Sequence, residues 1–433
     1  MRILLAVHHF PPDHGGGAEW RAFRTARAFM ERGHETRVIC IRRLNADMDA
    51  ALSMEDDEYQ GVPVHRLDLN MRLASDSFIW QYDHPAIGEH LTEWIHEIQP
   101  DIFHLIGGYL LGAAALAAAR QNQVPVVVSL TDFWYFCPRI TLLRSDGKLS
   151  PTRVDPARCA GCLAGERRRY RWLNRLLPAG MDWFWHRQTA RINRLQNRLD
   201  TLIEALNRVQ VILAPSEFVR SIYIENGINP GILRHSRQGV ANPVVEVVKS
   251  DPHWNTRLGY MGQMAPHKGV HVLLQALNQI PDAPLELYLY GDTTRFPSYA
   301  RRLKQLAGND ERINWMGTYP PSQSVEVFNQ INGMVMPSLW YENSPNSILE
   351  SFACKVPVIA SNLGGMAELV QDGINGLLFE AGNPTDLSRC IERFIYEPDL
   401  PAKLRQNIPA VRSIADEMDE LEAIYQEILG RKR

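Results

Sequence analysis

Residues 3–41 read ILLAVHHFPPDHGGGAEWRAFRTARAFMERGHETRVICI. An apolar run opens the stretch, three glycines at 15–17 follow, and residues 18–32 carry apolar side chains at helical spacing. Gly33 ends this helix, and a second apolar run begins at Thr36. A strand, a glycine loop, a helix and a second strand are the repeating unit of parallel α/β sheets. The stretch therefore predicts an open α/β domain.

The alternation of strand and helix continues to about residue 240 and then restarts after a polar stretch. Further strands are predicted at residues 62–67, 102–106, 124–130, 209–214 and 232–240, and then at 258–262, 285–290, 313–316, 333–336, 356–360 and 376–379. This rhythm predicts an N-terminal Rossmann-like domain at 1–245, a second at 253–412, and a helix at 413–433 that packs back on the first. Two doubly wound domains facing each other bind ligands at the carboxyl ends of their strands, around a shared cleft.

The composition is that of a globular protein. The chain has 433 residues, 45% of them apolar and 22% charged, and 46 Lys and Arg against 49 Asp and Glu give a net charge of −3. The apolar content excludes long disordered segments, and the slightly negative net charge disfavours a dedicated nucleic-acid binder. Six cysteines are too few for a disulfide scaffold and indicate a reducing compartment. The apolar run before His8 is shorter than that of a signal peptide, and we expect no transmembrane helix.

The segment at residues 336–350, MPSLWYENSPNSILE, carries the strongest chemical signal. It follows a strand and opens a helix, with Pro345 expected at the first helical position and Ser344 as its cap. Free N–H groups at such a helix start attract a phosphate. Glu342 and Glu350 then flank one ligand and accept hydrogen bonds from hydroxyls, which sugars supply. The alternative is that Glu350 only complements the helix dipole and Glu342 is a solvated loop residue.

Glu342 and Glu350, eight positions apart, resemble the E-x7-E motif of family 4 glycosyltransferases. The glycines at 15–17, Gly262 with Lys268-Gly269, and Gly364-Gly365 occur in that family's order and rough spacing. The resemblance spans most of the chain and implies the GT-B fold, a retaining mechanism and a nucleotide-diphosphate sugar as donor. It also implies that Glu342 holds the sugar hydroxyls and Glu350 the ribose.

Lys268 precedes a predicted helix, where its ammonium can neutralise charge on a departing diphosphate. The family usually has Arg where this chain has Gln263, which donates hydrogen bonds but carries no charge. The residues expected to contact the donor are Gly16, Gly17, Gln263, Lys268, Asn346, Ser347, Glu350, Gly364 and Gly365. No bound metal or other cofactor is expected to be required.

Asp132 follows the predicted strand at 124–130 and is a candidate acceptor-side catalytic residue beside Glu342 and Lys268. Relatives often have His where this chain has Thr131, and the sequence offers no evident replacement imidazole. A retaining mechanism does not require one, because the leaving phosphate oxygen can take the acceptor's proton. The equally weighted alternative is that Asp132 caps a turn.

Cys159 and Cys162 form a C-x-x-C pair, with Cys137 upstream. Three thiolates with one further ligand can hold a structural zinc ion. A redox pair, free thiols and a local disulfide remain open alternatives.

A basic and aromatic segment occupies residues 167–198. It holds one acid, Asp182, and nine arginines, and therefore a local charge of +8: Arg167, Arg168, Arg169, Arg171, Arg175, Arg187, Arg191, Arg194 and Arg198. Arginines attract anionic headgroups while Trp and Leu enter the interface, so the segment predicts a contact with a membrane surface. A solvated helix face over core aromatics and an RNA-binding surface are the alternatives.

The leading hypothesis is a retaining, hexosyltransferase-type glycosyltransferase of surface polysaccharide or lipid-linked glycan synthesis. We expect a glycan or lipid-linked acceptor, no nucleic-acid partner, and a cytoplasmic protein peripherally attached to the inner face of the membrane. The alternatives are a nucleotide-sugar epimerase or hydrolase of the same fold, and an inactive membrane-associated scaffold.

Overall fold

A computed structural model describes residues 1–167, 170, 172–173, 176–240 and 256–430, with the side chains of Pro178, Ala179, Asp182 and Pro321 left out. The chain divides into two compact units. Unit 1 comprises Met1–Ser236 and the stretch from Ala415 onward, and unit 2 comprises Arg237–Ile414. The boundary predicted at 245–253 lies outside the described residues.

Unit 1 is an α/β domain built on one sheet. Among the described residues this sheet has eight strands, in the order β3-β4-β2-β1-β5-β6-β7-β8. Its strands are β1 (Arg2–Val7), β2 (Glu35–Leu44), β3 (Leu52–Tyr59), β4 (Val62–Leu69), β5 (Ile102–Ile106), β6 (Val126–Ser129), β7 (Val211–Ala214) and β8 (Leu233–His235). Its helices are α1 (Gly17–Glu31), α2 (Ser77–Trp80), α3 (Pro85–Ile98), α4 (Gly112–Gln121), α5 (Pro156–Ala164), α6 (Pro178–His186), α7 (Thr189–Asn207) and α8 (Glu217–Glu225). All neighbouring strands pair in parallel except β3 and β4.

The sequence pattern did not predict β3, which pairs antiparallel with β4. Its centre is acidic and exposed, so it lacks the apolar alternation that marks a strand. The turn that joins the two strands is Gln60-Gly61, and both residues have positive φ, at 49° and 83°. Two such residues form the tight turn typical of a β-hairpin. The charged side chains also suit an edge strand, since they discourage pairing with another chain.

Unit 2 is built on an all-parallel sheet, six-stranded among the residues described, in the order β11-β10-β9-β12-β13-β14. Its strands are β9 (Thr256–Met261), β10 (Leu285–Tyr290), β11 (Ile313–Gly317), β12 (Gly333–Met336), β13 (Val358–Ser361) and β14 (Gly376–Phe379). Its helices are α9 (Val270–Leu277), α10 (Pro297–Ala307), α11 (Ser324–Asn329), α12 (Asn346–Ala353), α13 (Gly364–Leu369), α14 (Pro384–Tyr396) and α15 (Leu400–Gln406).

Alternate residues of the strands in unit 2 belong to two separate cores. Leu258 and Tyr260 of β9 pack in one apolar cluster, whereas Met261 packs in the other. Successive side chains of a strand point to opposite faces, so this division shows that both faces of the sheet are buried. A parallel sheet covered on both sides leaves its strand ends, and the loops that follow them, as the sites open to a ligand.

The C-terminal helix α16 (Ile414–Gly430) packs in unit 1. Glu417 accepts two hydrogen bonds from the guanidinium of Arg21 in α1, the shorter of 2.8 Å, and both side chains are 3% exposed. The hydroxyl of Tyr425 lies 2.6 Å from Nδ1 of His104 in β5. Polar contacts buried this fully hold the helix in one register on unit 1. Among the described residues no helix is both long and apolar enough to cross a bilayer.

We expect Glu417→Gln to lower the free energy of unfolding by about 3 kcal/mol, because it leaves the buried Arg21 charge without a carboxylate. Glu31→Gln, which removes the exposed partner of Arg27, is the matched control and should cost no more than about 0.5 kcal/mol. Urea denaturation followed by tryptophan fluorescence measures both values. Equal losses in the two variants would contradict the prediction.

Candidate functional site

Two loops at the carboxyl end of the unit 2 sheet meet at an ion pair. Lys268 lies in the loop after β9, and Glu342 lies in the loop after β12. The Nζ of Lys268 donates a hydrogen bond of 2.6 Å to Oε1 of Glu342, with side-chain exposures of 18% and 8%. The structure therefore brings together two residues that are 74 positions apart and that the sequence assigned to one site.

Glu342 is held as an ionised carboxylate. Its Oε1 also accepts hydrogen bonds of 2.7 Å from the hydroxyl of Ser338 and of 2.7 Å from the indole of Trp340. Burial alone raises the pKa of Glu342, but the charge of Lys268 and these hydrogen bonds outweigh it, and the net pKa lies below the usual value. The ammonium of Lys268 also lies 4.8 Å from the centre of the Trp340 ring.

Main-chain contacts fix the two loops against each other. Gly269 has a φ of +71°, and a Cβ added there would lie 1.8 Å from the carbonyl oxygen of Pro337, so only glycine fits. The amide of Leu339 donates to the carbonyl of His267 at 2.8 Å. Burial, aided by the neighbouring Lys268 charge, lowers the pKa of His267 to about 4, so its ring is neutral beside the pair. The position of Lys268 is therefore set by the backbone.

Gly365, at the start of α13, contacts the loop that carries Glu342. The amide of Gly365 donates to the carbonyl of Glu342 at 2.8 Å, so this N–H group serves the protein's own loop. A Cβ at Gly365 would also lie 2.2 Å from the carbonyl oxygen of Asn343. Gly365 thus holds the Glu342 loop in place, and the contact of Gly364 and Gly365 with the donor stays a prediction.

The helix after Glu342 starts one residue later than the sequence suggested. Pro345 occupies the N-cap position of α12, and Ser344 does not cap the helix. The Ser344 hydroxyl and the Oδ1 of Asn346 are buried without a hydrogen-bond partner among the described residues. Ser347 directs its hydroxyl to the sulfur of Met336, at 3.8 Å. Unpaired polar atoms at a helix start are what a polar ligand would satisfy.

A cavity of about 260 Å³ opens in unit 2 at the start of the loop that carries Lys268. It is lined by Gly262, Gln263, Met264, Tyr290, Gly291, Asp292, Arg295, Phe296, Thr318 and Tyr319. These residues lie at or after the carboxyl ends of β9, β10 and β11, which is where the sheet topology places a ligand site. Burial first, and then the charge of Glu350, raise the pKa of Tyr319, which places the second glutamate near this cavity.

In unit 1 the glycine loop, His8 and Asp132 form a second cluster at strand ends. His8 follows β1, and its Nε2 lies 3.3 Å from the carboxylate of Glu19 in the first turn of α1. That carboxylate fills the space where a side chain at Gly16 would stand. Burial raises the pKa of Glu19, but its hydrogen bond with His8 and the His8 charge outweigh this and leave a net lowering. Gly17 begins α1, and a Cβ there would meet no atom.

Asp132 has the geometry of a turn cap, which was the alternative interpretation. Its Oδ1 accepts from the amide of Trp134 at 2.8 Å, and its Oδ2 accepts from the hydroxyl of Thr131 at 3.1 Å. Burial raises the pKa of Asp132, while the nearby His8 acts in the opposite direction. The sequence found no imidazole for this position, but the fold supplies one from the end of β1.

The three cysteines line one cavity of about 20 Å³, together with Ser150. Burial, helped by the neighbouring thiols, raises the pKa of Cys159 to about 12. No group of three or more metal-binding side chains that could hold an ion occurs in the part of the chain that the structure describes. The zinc hypothesis is therefore not supported, and the cysteines are free thiols.

The basic and aromatic segment is divided between surface and core. Arg168, Arg169, Arg171, Arg175 and the side chain of Asp182 lie outside the described residues. Arg198 is buried and donates to the carbonyl oxygen of Trp134 at 2.5 Å, and burial lowers its pKa to about 10. Trp185 is buried as well. For these two residues the sequence hypothesis of a membrane contact is wrong, because they belong to the core of unit 1.

Sequence reasoning missed several residues of these sites. Ser338 and Trp340 lie inside the E-x7-E segment, but only the fold shows that both turn back to Glu342. His8 had a usable signal, since it is the first polar residue after a buried strand. Arg295 lies in a loop without any motif, and nothing in the sequence separates it from a solvated arginine.

Comparison with known proteins agrees with this architecture. A model of Glycosyltransferase Family 4 matches residues 15–240, and one of Glycosyl transferases group 1 matches residues 255–397. The structure resembles that of the Anabaena protein HepE in complex with UDP, with a TM-score of 0.68 at 17% identity over 99% of this chain and 100% of that one. It also resembles sucrose-phosphate synthase of Thermosynechococcus elongatus, with a TM-score of 0.66 at 16% identity over 99% of each chain.

Among curated sequences, an uncharacterized glycosyltransferase of Methanocaldococcus jannaschii is 29% identical over 45% of this chain and 52% of its own. A GDP-mannose-dependent alpha-mannosyltransferase of Corynebacterium glutamicum is 23% identical over 88% of this chain and 77% of its own. For the first relatives the match spans about half of their length or less.

Two Rossmann-like α/β domains of this topology define the GT-B fold class. The Glycosyltransferase Family 4 model matches more than half of this chain, so the chain belongs to that family.

The ion pair predicts a pH-dependent stability. Lys268→Met removes the largest effect that opposes burial at Glu342 and leaves only the hydrogen bonds from Ser338 and Trp340, so we expect the carboxyl pKa to rise above its usual value near 4.5. In the wild type, ionised Glu342 stabilises the fold fully at pH values above the usual carboxyl pKa near 4.5. This stabilisation is lost as the pH falls through the pKa of Glu342 in the folded state. The variant is penalised above its raised pKa and recovers as the pH falls.

We therefore expect the gap in thermal stability between wild type and Lys268→Met to be widest near about pH 8 and to close toward about pH 4. Thermal unfolding across that range measures it. Lys304→Met, on the exposed side of α10, is the control and should show a constant difference. A gap that does not change with pH would contradict the assignment of the pair.

Proposed function

We propose that the protein is a retaining glycosyltransferase that transfers a hexose from a nucleotide-diphosphate sugar to an acceptor hydroxyl. The observation that carries the proposal is the buried Lys268–Glu342 pair, in a chain of Family 4, with the first residues of the Lys268 loop lining the cavity of unit 2. The HepE structures with UDP and with UDP-glucose, and the GDP-mannose dependence of the Corynebacterium relative, support a nucleotide-sugar donor.

Each residue of the pair has a separate role in this reaction. The three described hydrogen bonds to Glu342 all reach Oε1, so Oε2 can accept from a hydroxyl of the donor sugar. The Lys268 ammonium faces the leaving diphosphate, where it stabilises negative charge as the glycosidic bond breaks. Glu350, near Tyr319, holds the ribose, and Gln263 and the start of α12 contact the phosphates.

We propose that the acceptor hydroxyl binds in unit 1, near the glycines at 15–17 and His8. Its proton passes to the leaving phosphate oxygen, which lies on the same face of the sugar in a retaining displacement. No protein base has to take that proton. The negative charge that grows on the leaving phosphate as the bond breaks is stabilised by Lys268 and helix N-termini, so we assign no step to a metal ion.

We expect Glu342→Gln and Lys268→Met each to reduce the rate of transfer by about 100-fold or more. Thermal-shift screening of UDP, GDP and ADP first selects the donor base, since a ligand of the folded state raises its stability. Transfer of radiolabelled sugar is then measured in EDTA, where we expect full activity. Glu326→Gln, exposed at the start of α11, is the control and should keep the wild-type rate.

Near-wild-type rates in either variant would remove the assigned roles, and strict dependence on Mg²⁺ or Mn²⁺ would contradict the charge argument. Donor consumption without an acceptor would instead indicate a hydrolase or epimerase. Donor binding with no turnover would indicate a scaffold.

We also propose that the acceptor is lipid-linked, as in surface polysaccharide synthesis, and that unit 1 lies against the cytoplasmic leaflet. Trp172, Leu177 and Trp183 are 68%, 62% and 59% exposed, which is unusual for side chains of this size. Arg187 stacks on Trp183 at 3.9 Å, and Arg191 is exposed on α7. Exposed aromatics beside arginines suit the interface of an anionic bilayer.

Sedimentation with phosphatidylglycerol vesicles tests this contact. We expect Arg191→Gln to weaken binding about 5-fold, as for the loss of one cation near an anionic surface, and Trp183→Ala to weaken it further. Tyr396→Ala removes a similarly exposed aromatic from unit 2 and should bind as the wild type. Equal binding by the wild type and all three variants, or equal binding to neutral phosphatidylcholine vesicles, would contradict the proposal.

A further inference from the structure

The lysine assigned to the diphosphate is already neutralised. Its ammonium lies 2.6 Å from Glu342 Oε1 and contacts the face of Trp340. The pair as a whole carries no net charge, whereas a nucleoside diphosphate carries at least two negative charges near neutral pH. Binding the diphosphate in unit 2 therefore needs positive charge beyond Lys268, and Gln263 does not supply it.

Arg295 provides that charge at the wall of the same cavity. It lies in the loop between β10 and α10, and it lines the cavity together with Gln263 and Gly262. Of the residues described around the cavity, Arg295 and Asp292 are the charged ones. The structure shows no ion pair within 4.0 Å for Arg295 in the described part of the chain, and its side chain is exposed.

The position of Arg295 relates it to the Lys268 loop. Its charge acts on His267, the residue before Lys268, and it also acts on Asp292. Asp292 accepts hydrogen bonds of 2.6 and 2.7 Å from the hydroxyl and the amide of Thr294. The only acid lining the described cavity is thus occupied locally, which leaves the guanidinium to an incoming anion. A planar guanidinium binds phosphate oxygens through two parallel hydrogen bonds.

We propose that Arg295 binds the diphosphate of the donor and is the cation that the neutralised Lys268 and the uncharged Gln263 leave missing. The inference rests on the proposed function, since it assumes a nucleotide-sugar donor in unit 2. In this arrangement Arg295 contributes to affinity for the phosphates, and Lys268 with Glu342 acts at the bond that breaks. Arg295 is a binding residue that contacts the substrate in both ground and transition states.

Isothermal titration calorimetry tests the proposal with the nucleoside and the nucleoside diphosphate of the base that the thermal-shift screen selects from UDP, GDP and ADP. We expect Arg295→Gln to weaken diphosphate binding about 10-fold or more, as for the loss of a charged hydrogen bond, and to leave nucleoside binding within about 2-fold. Arg301→Gln, exposed on α10, is the matched control and should match the wild type for both ligands.

A second variant separates a charge effect from a structural one. Gln263→Arg places a new guanidinium at the same cavity, and we expect it to restore most of the lost diphosphate affinity in the Arg295→Gln background. Arg295→Gln alone should lose affinity less steeply in high salt than the wild type, because one ionic contact fewer is screened, whereas the double variant should regain the salt dependence of the wild type.

Equal weakening for nucleoside and diphosphate would overturn the proposal and place Arg295 on the base. Unchanged diphosphate binding in Arg295→Gln, with normal binding by the wild type, would overturn it while leaving the proposed function intact. A wild type that binds none of the three diphosphates would overturn the proposed function, and this inference with it.

Discussion

The contact between Lys268 and Glu342 determines the geometry of unit 2 at its functional end. An ion pair this buried is worth little to stability unless its remaining hydrogen-bonding groups are satisfied. Here Ser338, Trp340 and the main-chain contacts of Gly269 and Gly365 satisfy and fix it. Two glycines with no room for a side chain and two hydrogen-bond donors thus hold one carboxylate in place. So many contacts to a single ion pair are typical of a preorganised site.

Much of the fold follows from the sequence because apolar runs and glycine breaks mark each strand and helix. The strands at Gly333–Met336, Leu285–Tyr290 and Gly376–Phe379 lie where the pattern placed them. The hairpin strand β3 does not, since its acidic residues are exposed on an edge and leave no burial pattern to detect. Its only local signal was the Gln60-Gly61 turn. A strand is predicted from the apolar alternation that burial imposes on its sequence. An edge strand that buries few side chains lacks this alternation and is therefore missed.

The candidate site was predictable as far as residue types and spacing reach. Glu342 and Lys268 carry the family's motif, and the structure brings them together. Spacing could not show that Ser344 fails to cap α12, that the Gly365 amide is used internally, or that Arg198 is a core residue. The first depends on where the helix backbone begins, and the other two depend on which partner lies across the fold. His8 and Glu19 show the same limit, because their contact joins the end of β1 to the start of α1.

A neutral pair is a better catalyst for glycosyl transfer than a lone lysine, given the proposed reaction. Breaking the bond to the leaving diphosphate separates charge, with positive charge growing on the sugar and negative charge on the phosphate. A fixed carboxylate on the sugar side and a fixed ammonium on the phosphate side stabilise both ends of that separation. Before the bond breaks, the pair's opposite charges largely cancel at the donor, so it stabilises the ground state less than the transition state. Selective stabilisation of this kind raises the rate of the chemical step, whereas a cation that acts on the whole diphosphate mainly raises affinity.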